Sequence, residues 1–198
     1  MPRPLIPDRP SKILDAAEVI VLERGFDAMT MQSIAAAIGI AKGSVYREFP
    51  SKNALLESLL TRSMSRMNAA AAERLKGDPS PPLSLAYRVG VEVLLADPLM
   101  TAAFLDARGV LGSFADSVDD NRYRQRHQAL IEWLQDLQGS EQLSSDFDAR
   151  ALALVLSSTT IGLLTASRIL GPIDAEQLGA AIATMGQLIH RALKSTSS

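Results

Sequence analysis

A chain of 198 residues, 47% of them hydrophobic and 21% charged, has the composition of an ordinary globular protein long enough to bury a substantial core. It contains no cysteine, which excludes a disulfide scaffold and any cysteine-ligated zinc or iron–sulfur site, and fits a reducing cytoplasm. The formal net charge of −2 gives no sign of a nucleic-acid partner over the whole chain, and the split is mild: residues 1–53 carry seven Lys/Arg against six Asp/Glu, residues 54–198 thirteen against sixteen. Where the charges sit therefore matters more than their sum.

The N-terminus, MPRPLIPDRPSK, has too many prolines and too short an apolar run for a secretory signal, so the protein is expected to stay in the cytoplasm. Apolar residues then recur at helical spacing throughout, with almost no strand-like alternation, which predicts an all-α fold of about nine helices. A first helix runs from about Ser11 to Arg24, with Ile13, Ala17, Ile20 and Val21 on one face and Gly25 as its stop. Thr30 can cap a short second helix carrying Met31, Ile34, Ala35 and Ile38, and Gly39 ends it. A third short helix spans Ala41 to Phe49 and is stopped by Pro50; Ser51 then caps a long fourth helix towards Lys76.

GDPSPP, residues 77–82, is the clear break in the chain. Beyond it helices are predicted near Leu83–Ala96, Pro98–Phe114, Asn121–Gln138, Asp146–Leu170 and Ala175–Lys194, with caps at Asp97-Pro98 and a capping box at Asp174/Gln177. The uncharged run Ala151–Ser167 has Ser157, Ser158, Thr159 and Thr160 at its middle and is shorter than the ~20 residues of a membrane span, so it reads as a buried helix.

Two short helices joined at a glycine, the second exposing polar residues, fit a helix-turn-helix whose second helix enters the DNA major groove. At about 100° per residue, Val45 and Phe49 share one arc of the third helix, while Gly43, Ser44, Tyr46 and Arg47 lie opposite. Glycine allows close approach, the serine hydroxyl can bond a base or a phosphate, and arginine pairs with guanine or phosphate. Lys52, in the first turn of the next helix, opposes the helix dipole unless an anion lies nearby.

Over Ile13 to Leu60 the sequence ILDAAEVIVLERGFDAMTMQSIAAAIGIAKGSVYREFPSKNALLESLL resembles the N-terminal domain of the TetR family of transcriptional regulators. The resemblance is carried by the Ala-Ala and Gly-Phe of the first helix, the Thr and Ile-Ala of the second, Gly-Ile-Ala-Lys-Gly-Ser-Val-Tyr-Arg, and Phe49, Ser51, Lys52 and Leu55. It implies phosphate contacts by Thr30, Tyr46 and Lys52, with Gln32, Lys42, Gly43, Ser44 and Arg47 facing the groove. Two positions depart from the pattern. Ala41 stands where Ser or Thr commonly caps the recognition helix, and Glu48 replaces a frequent His beside the DNA backbone, where it would repel a phosphate unless it turns to Arg47, Lys52 or a cytosine amino group.

The resemblance further implies a DNA-binding domain over residues 1–52 and a helical ligand-binding and dimerisation domain over residues 53–198. Two apolar stretches are expected to form the homodimer contact, Leu152, Leu156 and Leu163 in one helix and Leu178, Ile182, Met185 and Ile189 in the last, the latter interleaved with the small residues Gly179, Ala183 and Gly186. A pocket for a small-molecule effector can draw on Met64, Met67, Tyr87, Met100, Phe104, Arg108, Phe114, Tyr123, His127 and Trp133, each of which can equally be ordinary core. No cofactor or metal is called for.

The function these features imply is a ligand-responsive repressor that binds a palindromic operator as a homodimer and is released by a small molecule. The alternative is a helical interaction module that has lost DNA binding. An enzyme is not expected, because His127 and His190 are the only histidines and neither neighbours a recognisable nucleophile or acid motif.

Overall fold

The computed structural model describes residues 8–78, 81–105, 107–114 and 121–195, and every regular element among them is helical. The helices are α1 (Arg9–Ala28), α2 (Met31–Ala37), α3 (Lys42–Glu48), α4 (Lys52–Arg74), α5 (Leu83–Ala96), α6 (Pro98–Leu105), α7 (Ala107–Leu111), α8 (Asn121–Gly139), α9 (Ala149–Leu170) and α10 (Ala175–Ser195). The stretch predicted as one helix over 98–114 is thus described as α6 and α7, on either side of residue 106. The long fourth helix stops at Arg74, two residues earlier than predicted. The helix predicted from Asp146 begins at Ala149, because the Asp148 carboxylate accepts from the Arg150 and Ala151 N–H groups and caps it there.

The chain groups into two compact units, Met1–Arg66 with Asp97–Val118, and Met67–Ala96 with Asp119–Ser198. In the first of these, α6, α7 and the first part of α4 group with the N-terminal helices α1, α2 and α3. In the first unit Ile13, Ala17, Val21, Ile34, Val45, Leu55, Leu56, Leu59 and Leu99 are all fully buried. Each such aliphatic side chain larger than alanine contributes roughly 1.5–3 kcal/mol over leaving it in water.

Gly25 fixes the course of this unit. The backbone leaves the helix there (φ 76°, ψ 165°), and a Cβ would lie 2.6 Å from the Gly109 carbonyl oxygen, so α7 can rest on the end of α1 only if position 25 is glycine. Phe26, just beyond, packs its ring on Phe114 with centroids 5.4 Å apart. An ionic cluster ties α1 to α4 and α6: Arg62 donates to Asp15 (2.6 Å) and Glu18 (2.7 Å), and Arg66 donates to Glu18 (2.6 Å) and the buried Asp97 (3.0 Å). Asp97 also caps α6 through the Met100 N–H.

In the second unit α5 packs on α10 and α9 on α8, around Leu83, Tyr87, Val91, Ile131, Leu134, Leu137, Ala153, Leu156 and Ile182. The predicted capping box opens α10: Asp174 accepts from the Gln177 N–H (2.8 Å), and Gln177 returns the bond to the Asp174 N–H (3.0 Å). Among the described residues no helix is long and apolar enough to cross a membrane.

Candidate nucleic-acid interface

The interface is built on α2, α3 and the start of α4. Thr30 starts α2 with a reciprocal cap, its Oγ1 accepting from the Ser33 N–H (2.9 Å) while Ser33 Oγ accepts from the Thr30 N–H (3.1 Å). That arrangement leaves the Thr30 hydroxyl hydrogen unused by the cap and the side chain exposed, with Gln32 exposed in the next turn. Gly39 then takes φ +70°, the left-handed value that closes the turn, and the Ile40 N–H reaches back to the Ala35 carbonyl at 3.0 Å.

On α3 the predicted division of faces is present. Val45 is 0% exposed and Phe49, just past the helix end, is buried, whereas Tyr46 is 46% exposed and Lys42, Gly43 and Arg47 are exposed beside it. A Cβ on Gly43 would meet no heavy atom within 4 Å. The fold therefore does not require glycine there, although glycine weakens a helix by roughly 1 kcal/mol relative to alanine. Two side-chain contacts order the exposed face: Arg47 Nη2 donates to Ser44 Oγ at 2.9 Å, and the Lys42 ammonium sits 5.7 Å from the centroid of the Tyr46 ring. Ala41, at the N-cap, offers no side-chain acceptor to the first turn.

Ser51 caps α4 by accepting from the Ala54 N–H at 3.0 Å. Lys52 turns back onto the end of α1, donating to the Asp27 carbonyl at 3.1 Å with its ammonium 4.1 Å from the centre of the Phe26 ring. Burial holds that ammonium below the usual lysine range, and the nearby Asp27 charge opposes the shift. One of its three donors is thereby committed within the protein.

Glu48 is paired with Arg9, whose Nη1 donates to Oε1 at 3.0 Å; the two side chains are 27% and 18% exposed. Sequence reasoning missed Arg9 entirely. The two residues are 39 positions apart, and no local pattern connects them.

Of the seven residues expected at a dimer contact, two are buried in the second unit and five are half-buried. Ile182 (2% exposed) and Leu156 (4%) belong to its core, and Leu152, Leu163, Leu178, Met185 and Ile189 pack against that core, because the periodic stripe on each helix is the one its own unit buries. Gly186 faces α5, where a Cβ would stand 3.5 Å from the Ser84 carbonyl oxygen. Among the described residues, the large apolar side chains left exposed on these two helices are Leu154 (60%), Val155, Ile161 (51%) and Leu170 on α9 and Leu188 on α10.

The expected pocket residues divide between the units. Met64, Met100 and Phe114 are in the first, the latter two buried; Met67, Tyr87, His127 and Trp133 are in the second. The side chains of Phe104, Arg108 and Tyr123 lie outside the described ones. Two of the set meet α9 three residues apart: His127 Nδ1 is 3.2 Å from Ser157 Oγ, and Thr160 Oγ1 is 3.5 Å from Tyr87 Oη, with burial pushing the Tyr87 hydroxyl pKa up.

Comparison with known proteins agrees with this geometry. Residues 13–59 match the family model described as bacterial regulatory proteins, tetR family. The HTH-type transcriptional repressor KstR of Mycobacterium tuberculosis is 34% identical over 102 residues, which are 50% of this chain and 46% of KstR. The match thus spans about half the length of that repressor. Among solved structures, the fatty acid degradation regulator FadR from Bacillus halodurans shares the fold with a TM-score of 0.70 at 20% identity, covering 94% of this chain and 96% of its own. The transcriptional regulator FadR from Bacillus subtilis, solved in complex with stearoyl-CoA, does so with a TM-score of 0.68 at 20% identity, covering 90% and 96%. Over residues 13–59, the span that holds the buried Val45 face and the glycine-closed turn, this chain is similar to the TetR family of bacterial regulatory proteins.

Proposed function

We propose that this chain is a ligand-responsive transcriptional repressor that binds a roughly palindromic DNA operator as a homodimer and is released by a small molecule. The observation that carries the reading is the division of α3, where a fully buried Val45 is flanked by exposed Gly43, Tyr46 and Arg47, with the fold itself not requiring glycine at 43. Thr30, Tyr46 and Lys52 would hold phosphates, while Gln32, Lys42, Gly43, Ser44 and Arg47 would face the groove. Residues 1–52 supply the DNA contact, and residues 53–198 supply dimerisation and effector binding. The activity is binding, with no catalytic step, and it operates in the cytoplasm, where the DNA is.

The homodimer is supported by the apolar side chains that one copy leaves in water, Leu154, Val155 and Ile161 on α9 and Leu188 on α10, beside exposed Gly162, Ala180 and Ala183 that permit close helix approach. An effector releases DNA only by binding the DNA-incompetent state more tightly, with a coupling of ~1–3 kcal/mol, and DNA must then weaken effector binding by the same factor. The test is to select bound fragments from the source genome with purified protein. The reading expects enriched fragments with inverted half-sites about one helical turn, ~34–36 Å, or a little more apart. Enrichment of no sequence, or of fragments lacking a repeated half-site, contradicts it.

A further inference from the structure

Arg9 and Glu48 each occupy the wrong end of a helix. Arg9 is the first residue of α1, where the helix dipole is positive, and Glu48 is the last of α3, where it is negative. Exchanging the two charges would suit both helices better, so helix stability does not account for the pair. What the pair does is cancel two charges beside the exposed face of α3, one residue from Arg47 and two from Tyr46.

We propose that Glu48 is a specificity-setting residue that withholds Arg9 from DNA phosphate. This rests on α3 being the DNA-reading helix. A free arginine at this edge would add one phosphate contact to any duplex, since phosphate contacts carry affinity but no sequence information. Bound to Glu48, it adds none, and discrimination is left to Gln32, Lys42, Ser44 and Arg47. Glu48 thereby lowers affinity for all DNA and raises the ratio of specific to non-specific binding. Removing either partner has opposite consequences. Loss of Glu48 frees a cation; loss of Arg9 leaves an unpaired carboxylate facing the backbone.

The experiment measures the affinity of the full-length wild type, Glu48→Gln, Arg9→Gln and the double variant for a random-sequence duplex about three helical turns long and for a selected genomic fragment, across a salt series. Glu48→Gln should steepen the slope of log K against log salt by about 0.9 for each protomer engaged, and tighten random-duplex binding roughly eightfold per protomer at 0.1 M salt. Its preference for the selected fragment should fall. Arg9→Gln should bind both duplexes more weakly with no steeper slope, and the double variant should return the slope to the wild-type value.

Thermal melts and helicity of each variant separate this from loss of fold. If both single variants weaken binding alike with the slope unchanged, the pair is a structural strut and the proposal is overturned. If the wild type itself binds neither duplex, the DNA-binding reading fails, and this inference fails with it.

Discussion

Asp27 and Ser113, 86 positions apart, are joined by three hydrogen bonds: both Asp27 carboxylate oxygens accept from the Ser113 N–H at 3.1 Å, and Oδ1 also accepts from its hydroxyl. The link ties the end of α1 to the turn after α7, one residue from the Phe26–Phe114 ring pair and beside the carbonyl that Lys52 holds. The Ser113 hydroxyl, then its N–H, holds the Asp27 carboxyl below its ordinary range. A depressed folded pKa means a contribution to stability that is present above the unfolded pKa of ~3.9 and lost as pH falls through the lower folded value. Ser113→Ala should therefore move the Asp27 pKa up towards ~3.9, read from its carboxyl chemical shift during an acid titration. An unmoved titration would show that the two side chains do not interact in solution.

Gly43→Ala should act in opposite directions on fold and function. Open space surrounds the position, so a methyl group fits and the helix gains about 0.5–1 kcal/mol in denaturant unfolding. DNA binding should nevertheless weaken, because the added methyl stands where the backbone must approach the groove. A variant that is stabilised and binds DNA as tightly as the wild type would remove Gly43 from the contact.

Glu18 accepts from Arg62 and from both terminal nitrogens of Arg66, and the Arg66 bonds lead in holding its carboxyl below the usual range against an opposing effect of burial. Its stabilising contribution is thus present above the unfolded pKa of ~4.3 and disappears as pH falls through the folded value. Glu18→Gln should cost ~1–2 kcal/mol near neutral pH, discounted for partial exposure of the cluster. Urea titrations of both proteins should converge in strong acid. A gap that stays constant with pH would assign the loss to packing.

Leu154→Glu with Ile161→Glu should yield folded monomers by sedimentation and abolish tight DNA binding, since both side chains are exposed in one copy. Ile182→Glu should instead unfold the second unit, because an unpaired charge in a core costs several kcal/mol. Persistence of a dimer in the first variant would move the contact to another surface.

The features legible in the sequence were those with local causes. Gly39, Ser51 and the Asp174/Gln177 pair act within a turn or two of themselves, Gly25 does so as a helix stop but not in its contact with Gly109, and the phase of Val45 against Tyr46 follows from helical geometry alone. Arg9–Glu48, Asp27–Ser113 and the seat of Lys52 on Phe26 were not legible, because each joins residues that only the tertiary fold brings together. The α9 and α10 stripes were legible as apolar faces only. Both helices are apolar on more than one face, and periodicity reveals that such faces exist without saying which one the chain itself covers. Ile182 is inside and Leu188 is not, and only packing decides between them.

The central claim, that α3 reads DNA, is tested most directly by the affinity of Arg47→Ala for a selected genomic fragment and for single-base variants of its half-site. Arg47 is exposed and oriented by Ser44 at 2.9 Å, so its removal leaves the core untouched. The account predicts a loss of ~1–3 kcal/mol on the selected fragment, with discrimination relaxed at one base position and retained at the others. Unchanged affinity together with unchanged discrimination at every position would contradict it.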